Sequence, residues 1–441
     1  MSSRLMSGRR FAPLFWSQFC SALNDNFLKQ SLGMLVLFGI GATVALDRET
    51  AEMLNTLAGV VFIGPFFFLS ALGGELADKF DKGRVASTIK LAEIPVAAVA
   101  AAGFYTHSVP VLFAALFGFG VVGALFGPVK YGILPEALKT EELSAGNALV
   151  EGATFLAILF GTIGGGIAVT EAKSPELIVG IILALALVCW LSATLIPRKG
   201  AAAPGIAITR NPFSSTVRLL RELKSEPRLR MGGHFCSAFW LIGIVSMSLL
   251  PVLVAGPIGG TASVYTYALA TFTVGIALGS IIAARAGHER PNLALVPIGA
   301  VLMALAAVGL ALLAYALGRP PMPMPLGDFI ATKRCLGLTT GLLVLAIGGG
   351  MFIVPAFASV QAWAPADRRA RIVAAVNVLN AAYMTLGGII LFALQSVATP
   401  LWAMFAALSA GALALAVLVA RLWGQEGVRI SGAASLNSPT T

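Results

Sequence analysis

The chain has 441 residues, of which 58% are hydrophobic and only 11% charged. A soluble globular protein carries roughly 25% charged residues, so a set of soluble domains is excluded and the composition is that of a polytopic membrane protein. Three histidines and four scattered cysteines leave little for a metal centre or a nucleophilic triad, and the net charge of +10 must be judged by its placement.

A spanning helix needs about 20 predominantly apolar residues, and twelve such runs are predicted along the chain. Span 1, residues 11–45, follows Arg4, Arg9 and Arg10 and contains Asn24-Asp25-Asn26. It is too long for a signal peptide and lacks a small-residue cleavage site after a short apolar core, so it is read as a retained span. Spans 2 to 6 cover 53–77, 85–105, 109–134, 143–169 and 175–196. The first 196 residues are thus predicted to form one six-helix bundle. Residues 197–230 form a linker with a basic helical stretch from Val217 to Lys224, suited to the anionic inner leaflet. A second six-helix bundle, 231–422, holds spans at 231–254, 262–284, 293–317, 336–363, 372–397 and 401–422. Residues 423–441 are predicted to be a disordered tail. The expected fold class is therefore an all-α polytopic membrane protein. A transmembrane barrel is excluded, because its strands would read as short alternating segments.

Orientation follows from the basic residues in the loops. With both termini cytoplasmic, 22 of the 30 Lys and Arg residues lie inside and five outside, namely Arg48, Lys173, Arg319, Lys333 and Arg334; Lys29, Lys90 and Lys130 lie within spans. The positive charge is a topology signal, and nucleic acid is not an expected partner. Cys20, Cys189, Cys236 and Cys335 fall in or beside spans, so structural disulfides are not expected.

The two halves echo each other. Phe19-Cys20-Ser21-Ala22-Leu23 in span 1 matches Phe235-Cys236-Ser237-Ala238-Phe239 in span 7. Ala71-Leu72-Gly73-Gly74 matches Ala277-Leu278-Gly279-Ser280, and Asn147-Ala148-Leu149 matches Asn377-Val378-Leu379. Duplicated halves imply a substrate site at their interface and alternating access. Glycines four apart, such as Gly161 with Gly165 and Gly275 with Gly279, suit close helix packing.

Between spans 2 and 3 stands Gly74-Glu75-Leu76-Ala77-Asp78-Lys79-Phe80-Asp81-Lys82-Gly83-Arg84. With twelve spans in two repeats, this resembles the loop 2–3 signature of the major facilitator superfamily, although Asp81 replaces the usual glycine and Gly-Arg comes two residues late. The resemblance implies a gating motif of Gly74, Asp78, Lys79 and Arg84, in which Asp78 latches the cytoplasmic gate. Asn24-Asp25-Asn26-Phe27-Leu28-Lys29, the stretch Gly127 to Glu136, and Asn147 to Phe155 are similar to one branch, the bacterial lysophospholipid transporters. That branch also occurs fused to a 2-acyl-glycerophosphoethanolamine acyltransferase and acyl-carrier-protein synthetase. No such domain follows here, so a freestanding transporter is expected, with any acylation on a separate polypeptide. The resemblance implies a lysophosphatidylethanolamine-like substrate, no cofactor and no enzymatic activity.

Six ionisable residues lie well inside spans: Asp25, Lys29, Lys90, Glu93, Lys130 and Glu151. At about 2.5–3.5 kcal/mol for each central charge, their combined insertion cost is roughly 15–20 kcal/mol before pairing. All six are in the first half, and the second-half spans contain none before Arg421 at the edge of the last. One polar and one apolar wall suit a lipid with a charged headgroup and a single acyl chain. At 100° per residue, Gln18, Asp25 and Lys29 share one stripe of span 1, and Asn24 and Asn26 flank Asp25 in sequence. Asn147, Glu151 and Thr154 share an arc of span 5 by the same geometry. A rise of 1.5 Å per residue puts Asp25 roughly 20 Å from the inner end of span 1, and Lys130 and Glu151 roughly 6–11 Å from theirs.

Lys130 is expected to attract the headgroup phosphate and to pair with Glu151 or Asp25 when the site is empty; a static ion pair between two helices is the alternative. Lys90 and Glu93 read as a local pair with a snorkelling lysine or as a second substrate contact. Asn377 and Asn380 on span 11, Tyr383, and His234 opening span 7 are the polar candidates of the second half, and His234, four residues from Arg230, reads as a membrane-interface histidine rather than a proton relay. The leading expectation is a flippase moving lysophospholipids from the outer to the inner leaflet of the bacterial inner membrane. The alternative is a proton-coupled exporter of a drug or metabolite. An intramembrane acyltransferase would need a His-Asp pair placed for general-base work, which the sequence lacks.

Overall fold

A computed structural model describes residues 5–6, 8–38, 48–169, 174–209, 211–287, 293–318, 320 and 322–436. Arg4, the predicted continuation of span 1 to Ala45, Lys173, Arg319 and the last five residues lie outside these ranges. The apolar runs fold as helices because backbone in lipid must satisfy its own polar groups. In chain order they are α1 (Ala12–Phe38), α2 (Arg48–Lys79), α3 (Lys82–Tyr105), α4 (Val109–Ala137), α5 (Leu143–Ile167) and α6 (Pro175–Thr194). The linker helix α7 (Pro212–Ser225) follows. Then come α8 (Pro227–Leu253), α9 (Ala262–Ala286), α10 (Leu295–Ala316), α11 (Lys333–Trp363), α12 (Arg369–Ser396) and α13 (Leu401–Leu436). Among the described residues the only β-type pairing is an isolated bridge between Gly260 and Met324.

Eleven of the helices contain a stretch long and apolar enough to cross a membrane. The predicted span 1 is helix α1, which is not among the eleven. Its 27 residues reach about 40 Å at 1.5 Å per residue, and Gln18, Asn24, Asp25, Asn26, Lys29 and Gln30 are its strongly polar residues. Helix α13 continues to Leu436, past residue 422 where the sequence reading ends the last span.

The helices cluster into two compact units, Met1–Ser237 with Val360–Tyr383, and Ala238–Ser359 with Met384–Thr441. This partition differs from a cut at the linker, because the end of α11 and the start of α12 pack with α1 to α7. In the first unit α1 packs on α5 and α6, α4 on α2 and α3, and α7 on α2. Phe27, Leu28, Leu32, Phe104 and Phe119 belong to its apolar core. In the second unit α10 packs on α13.

The paired glycines set two close helix approaches. A Cβ on Gly161 would stand 2.7 Å from Leu23 O, and one on Gly165 would stand 2.6 Å from Phe27 O. Gly275 likewise lets α9 approach α11, since its Cβ would lie 2.6 Å from that of Ala346. Gly165→Leu should therefore destabilise the protein by about 1–3 kcal/mol, read as a lowered melting temperature of purified protein. Gly166 leaves nothing within 4 Å of an added Cβ, so Gly166→Ala should move that temperature little.

Candidate functional site

The polar stripe of α1 divides into groups bonded to other helices and groups that are not. Gln18 is buried, donating to Val150 O at 3.4 Å and accepting from Thr154 Oγ1 at 3.3 Å, so it joins α1 to α5. Asn24 is buried and donates to Ile182 O of α6 at 3.1 Å. Asn26 donates to Ala22 O of its own helix at 2.8 Å. Asp25 and Lys29 are half-buried. The Lys29 ammonium lies 5.4 Å from the centre of the Phe62 ring. Asp25 has no hydrogen bond or ion pair among the described residues.

Lys130 does not form the ion pair expected with Glu151 or Asp25. Its Nζ sits 4.7 Å from the centre of the neighbouring Tyr131 ring, and the Tyr131 hydroxyl donates to Glu151 Oε1 at 3.0 Å. Tyr131 thus occupies the position on Glu151 that the lysine was expected to take. Glu151 is buried, and its second oxygen has no hydrogen-bond partner among the described residues.

Lys90 and Glu93 do pair, at 2.7 Å, but the lysine does not snorkel. Both side chains are fully buried, and Lys90 Nζ also donates to Ser21 Oγ at 2.6 Å and stands 4.2 Å from the centre of the Phe126 ring. The reason is local. Ser21 of α1 and the Phe126 face of α4 supply the ammonium with partners inside the bundle, so extension toward the interface is not needed.

At the end of the bundle where α2 meets α3, Asp78 accepts from the backbone N–H groups of Ala370 and Arg371 and from Arg371 Nε, each at 3.2 Å. A buried carboxylate therefore caps the N-terminus of α12, where unpaired N–H groups and the helix dipole favour negative charge. Gly74 makes the approach possible: a Cβ there would stand 2.8 Å from that of Ala374. Lys82, also buried, lies 2.6 Å from Glu136 and 4.0 Å from Asp78. Arg371 extends the chain to Glu222 of α7 at 3.1 Å. Glu75, one turn before Asp78, is buried among the Thr209 amide and hydroxyl, Ser215 Oγ and Arg218.

Lys79 and Arg84 are not in this cluster. Lys79 lies over Phe80, and Arg84 is exposed with its backbone N–H donated to Asp81. Glu142, at the start of α5, is held below the usual carboxylate range: burial pushes it up, but the Lys139 amide and the Arg10 guanidinium outweigh that.

Asn147 forms a reciprocal amide pair with Gln361 of α11, at 2.8 and 3.2 Å, with both side chains buried. Asn377 places its amide nitrogen 2.9 Å from where a Cβ on Gly127 would stand. Asn380 accepts from Ser237 at 2.7 Å, and His234 bonds Tyr383 at 2.9 Å. Sequence reasoning missed Gln361 and Tyr131, although both are polar groups within spans. It used Arg371 only as a loop charge, and it quoted Lys82 and Glu136 within the family motifs without assigning either a role. No group of three or more His, Cys, Asp or Glu that could hold a metal ion occurs among the described residues.

Long apolar helices around buried charges are the architecture of a multi-pass membrane protein. Residues 14–327 match the family model described as Major Facilitator Superfamily, and the chain belongs to that superfamily. It is 32% identical over 358 residues to the lysophospholipid transporter LplT of Klebsiella pneumoniae subsp. pneumoniae, covering 78% of each chain. With the protein of that name from Salmonella newport it shares 30% identity over 357 residues, again 78% of each. Among solved structures it resembles the human organic anion transporter MFSD10, with a TM-score of 0.73 at 17% identity over 93% of this chain and 99% of that one. A bacterial homologue of the iron transporter ferroportin, in an outward-facing state, gives 0.63 at 16% identity over 93% and 99%. At these identities the structural likeness establishes the fold alone.

Proposed function

We propose that the chain is an alternating-access flippase that moves lysophospholipids across the bacterial inner membrane, from the outer to the inner leaflet, for reacylation. The observation that carries this reading is the identity to lysophospholipid transporters along 78% of both chains. The charges within the spans support it. Asp25, Lys29 and Lys130 are half-buried and make no ion pair among the described residues, whereas Gln18, Asn24 and Asn147 are bonded to neighbouring helices.

In this reading Lys130 receives the headgroup phosphate, Glu151 releases or regains the lysine, and Asp25 with Lys29 faces the zwitterionic or anionic remainder. Asn26 and Asn377 line the polar surroundings. The two six-helix halves, 1–196 and 231–422, alternate around this site, with both termini cytoplasmic. The cluster around Asp78 closes the cytoplasmic end. A separate acyltransferase or acyl-carrier-protein synthetase consumes the product.

The test is reconstitution in liposomes with labelled lysophosphatidylethanolamine, comparing wild type with Asp25→Ala and Lys130→Ala. Wild type should flip the lipid, and each variant should lose at least tenfold in rate, the scale set by removing a charge-assisted contact of about 1.5–3 kcal/mol. Absence of flipping by wild type removes the substrate; equal flipping by all three removes the site.

A further inference from the structure

Helix α7 has two unlike faces. Its inner face is occupied: Leu219 and Leu223 are buried, Ser215 and Arg218 hold Glu75, and Glu222 holds Arg371. Asn211 caps its start by accepting from the Phe213 and Ser214 amides, which fixes the rotation of the helix about its axis. That rotation turns Phe213 and Val217 outward, 67% and 48% exposed, with half-buried Leu220 beside them and exposed Arg221 and Lys224 along the same side.

Two observations identify what covers this face. The Phe213 ring packs edge-on against Phe68 at 5.1 Å, and Phe68 is an exposed residue of the spanning stretch Leu57–Lys79. The apolar side of α7 is therefore continuous with a surface of α2 that faces lipid. Beyond it the helix carries bases without a facing acid, since Glu222, its only acidic residue, is committed to Arg371. An apolar strip bordered by Arg and Lys is the chemistry that lies in an anionic membrane interface.

We propose that α7 is an anionic-lipid-binding strap. Phe213, Val217 and Leu220 enter the interface of the adjoining leaflet, and Arg221 and Lys224 bind the headgroups of its anionic phospholipids. The opposite face holds Glu75 and Arg371, so the headgroups bear on the helix that joins the ends of α2 and α12. The site is separate from the charges inside the spans and independent of which cargo the protein carries.

Phe213→Trp reports on this face in vesicles holding equal fractions of brominated phosphatidylglycerol or brominated phosphatidylcholine, with the signal of the six native tryptophans subtracted using wild type. Val217→Trp repeats the measurement should the first variant fold poorly. Quenching should be severalfold stronger with phosphatidylglycerol. Adding Arg221→Gln and Lys224→Gln should remove that preference, by about fivefold for each charge lost at an anionic surface, while quenching by phosphatidylcholine persists. Equal quenching by the two lipids in Phe213→Trp overturns the headgroup site. Quenching by neither places the face in water or against protein, and overturns the strap.

Discussion

Lys90→Met should destabilise the folded protein by about 3–5 kcal/mol, whereas Lys90→Met combined with Glu93→Met should recover most of that loss. The asymmetry follows from burial. Lys90 and Glu93 are both fully buried, and the ammonium is shared among Glu93, Ser21 and the Phe126 ring. Removing the lysine alone leaves a carboxylate whose Oε1 already has no partner among the described residues. Removing both charges replaces an ion pair by apolar side chains of similar length, which buried sites commonly tolerate. The melting temperatures of the single and double variants in one detergent check this. A double variant no more stable than the single would show that the pair is not what Glu93 depends on.

Asp78→Asn should have the largest effect on transport. The native carboxylate accepts three hydrogen bonds at the start of α12, two from backbone amides and one from Arg371. The amide side chain keeps one acceptor oxygen and loses the charge that matches both the guanidinium and the helix dipole. Charge-assisted bonds of this kind contribute about 1.5–3 kcal/mol each, so losing one shifts the closed-to-open ratio at this end by about 10- to 100-fold. Val373→Cys, at a buried position on the first turns of α12, reports the shift. Its maleimide labelling should rise by about that factor when Asp78→Asn is added; the four native cysteines are buried. Unchanged labelling would mean that Asp78 does not hold this end closed.

The all-helical architecture was legible because apolar runs near 20 residues and loop charges are one-dimensional signals. The local Lys90–Glu93 pair was legible for the same reason, since three positions apart on a helix is a contact. Lys90's burial was not, because it depends on Ser21 and Phe126 arriving from other helices. Tyr131 taking Glu151 from Lys130 was equally hidden: adjacent residues on α4 point in different directions, and only packing against α5 decides which one reaches the acid. Arg371 looked like an ordinary interfacial charge and Lys82 like one member of the loop signature, and their contacts with Asp78 emerge only once α12 starts beside Gly74. Gln361 was within reach, as a lone amide in an apolar span that required a partner.

That amide pair gives the protein a second kind of fastening. The bonds around Asp78 involve ionised groups, so protonation or a competing ion can loosen them. Asn147 and Gln361 are neutral, fully buried and bonded in both directions, so neither acid nor salt acts on them. Breaking the pair exposes the full desolvation cost of each buried amide left unmet, about 1–3 kcal/mol, whatever the ionic conditions outside.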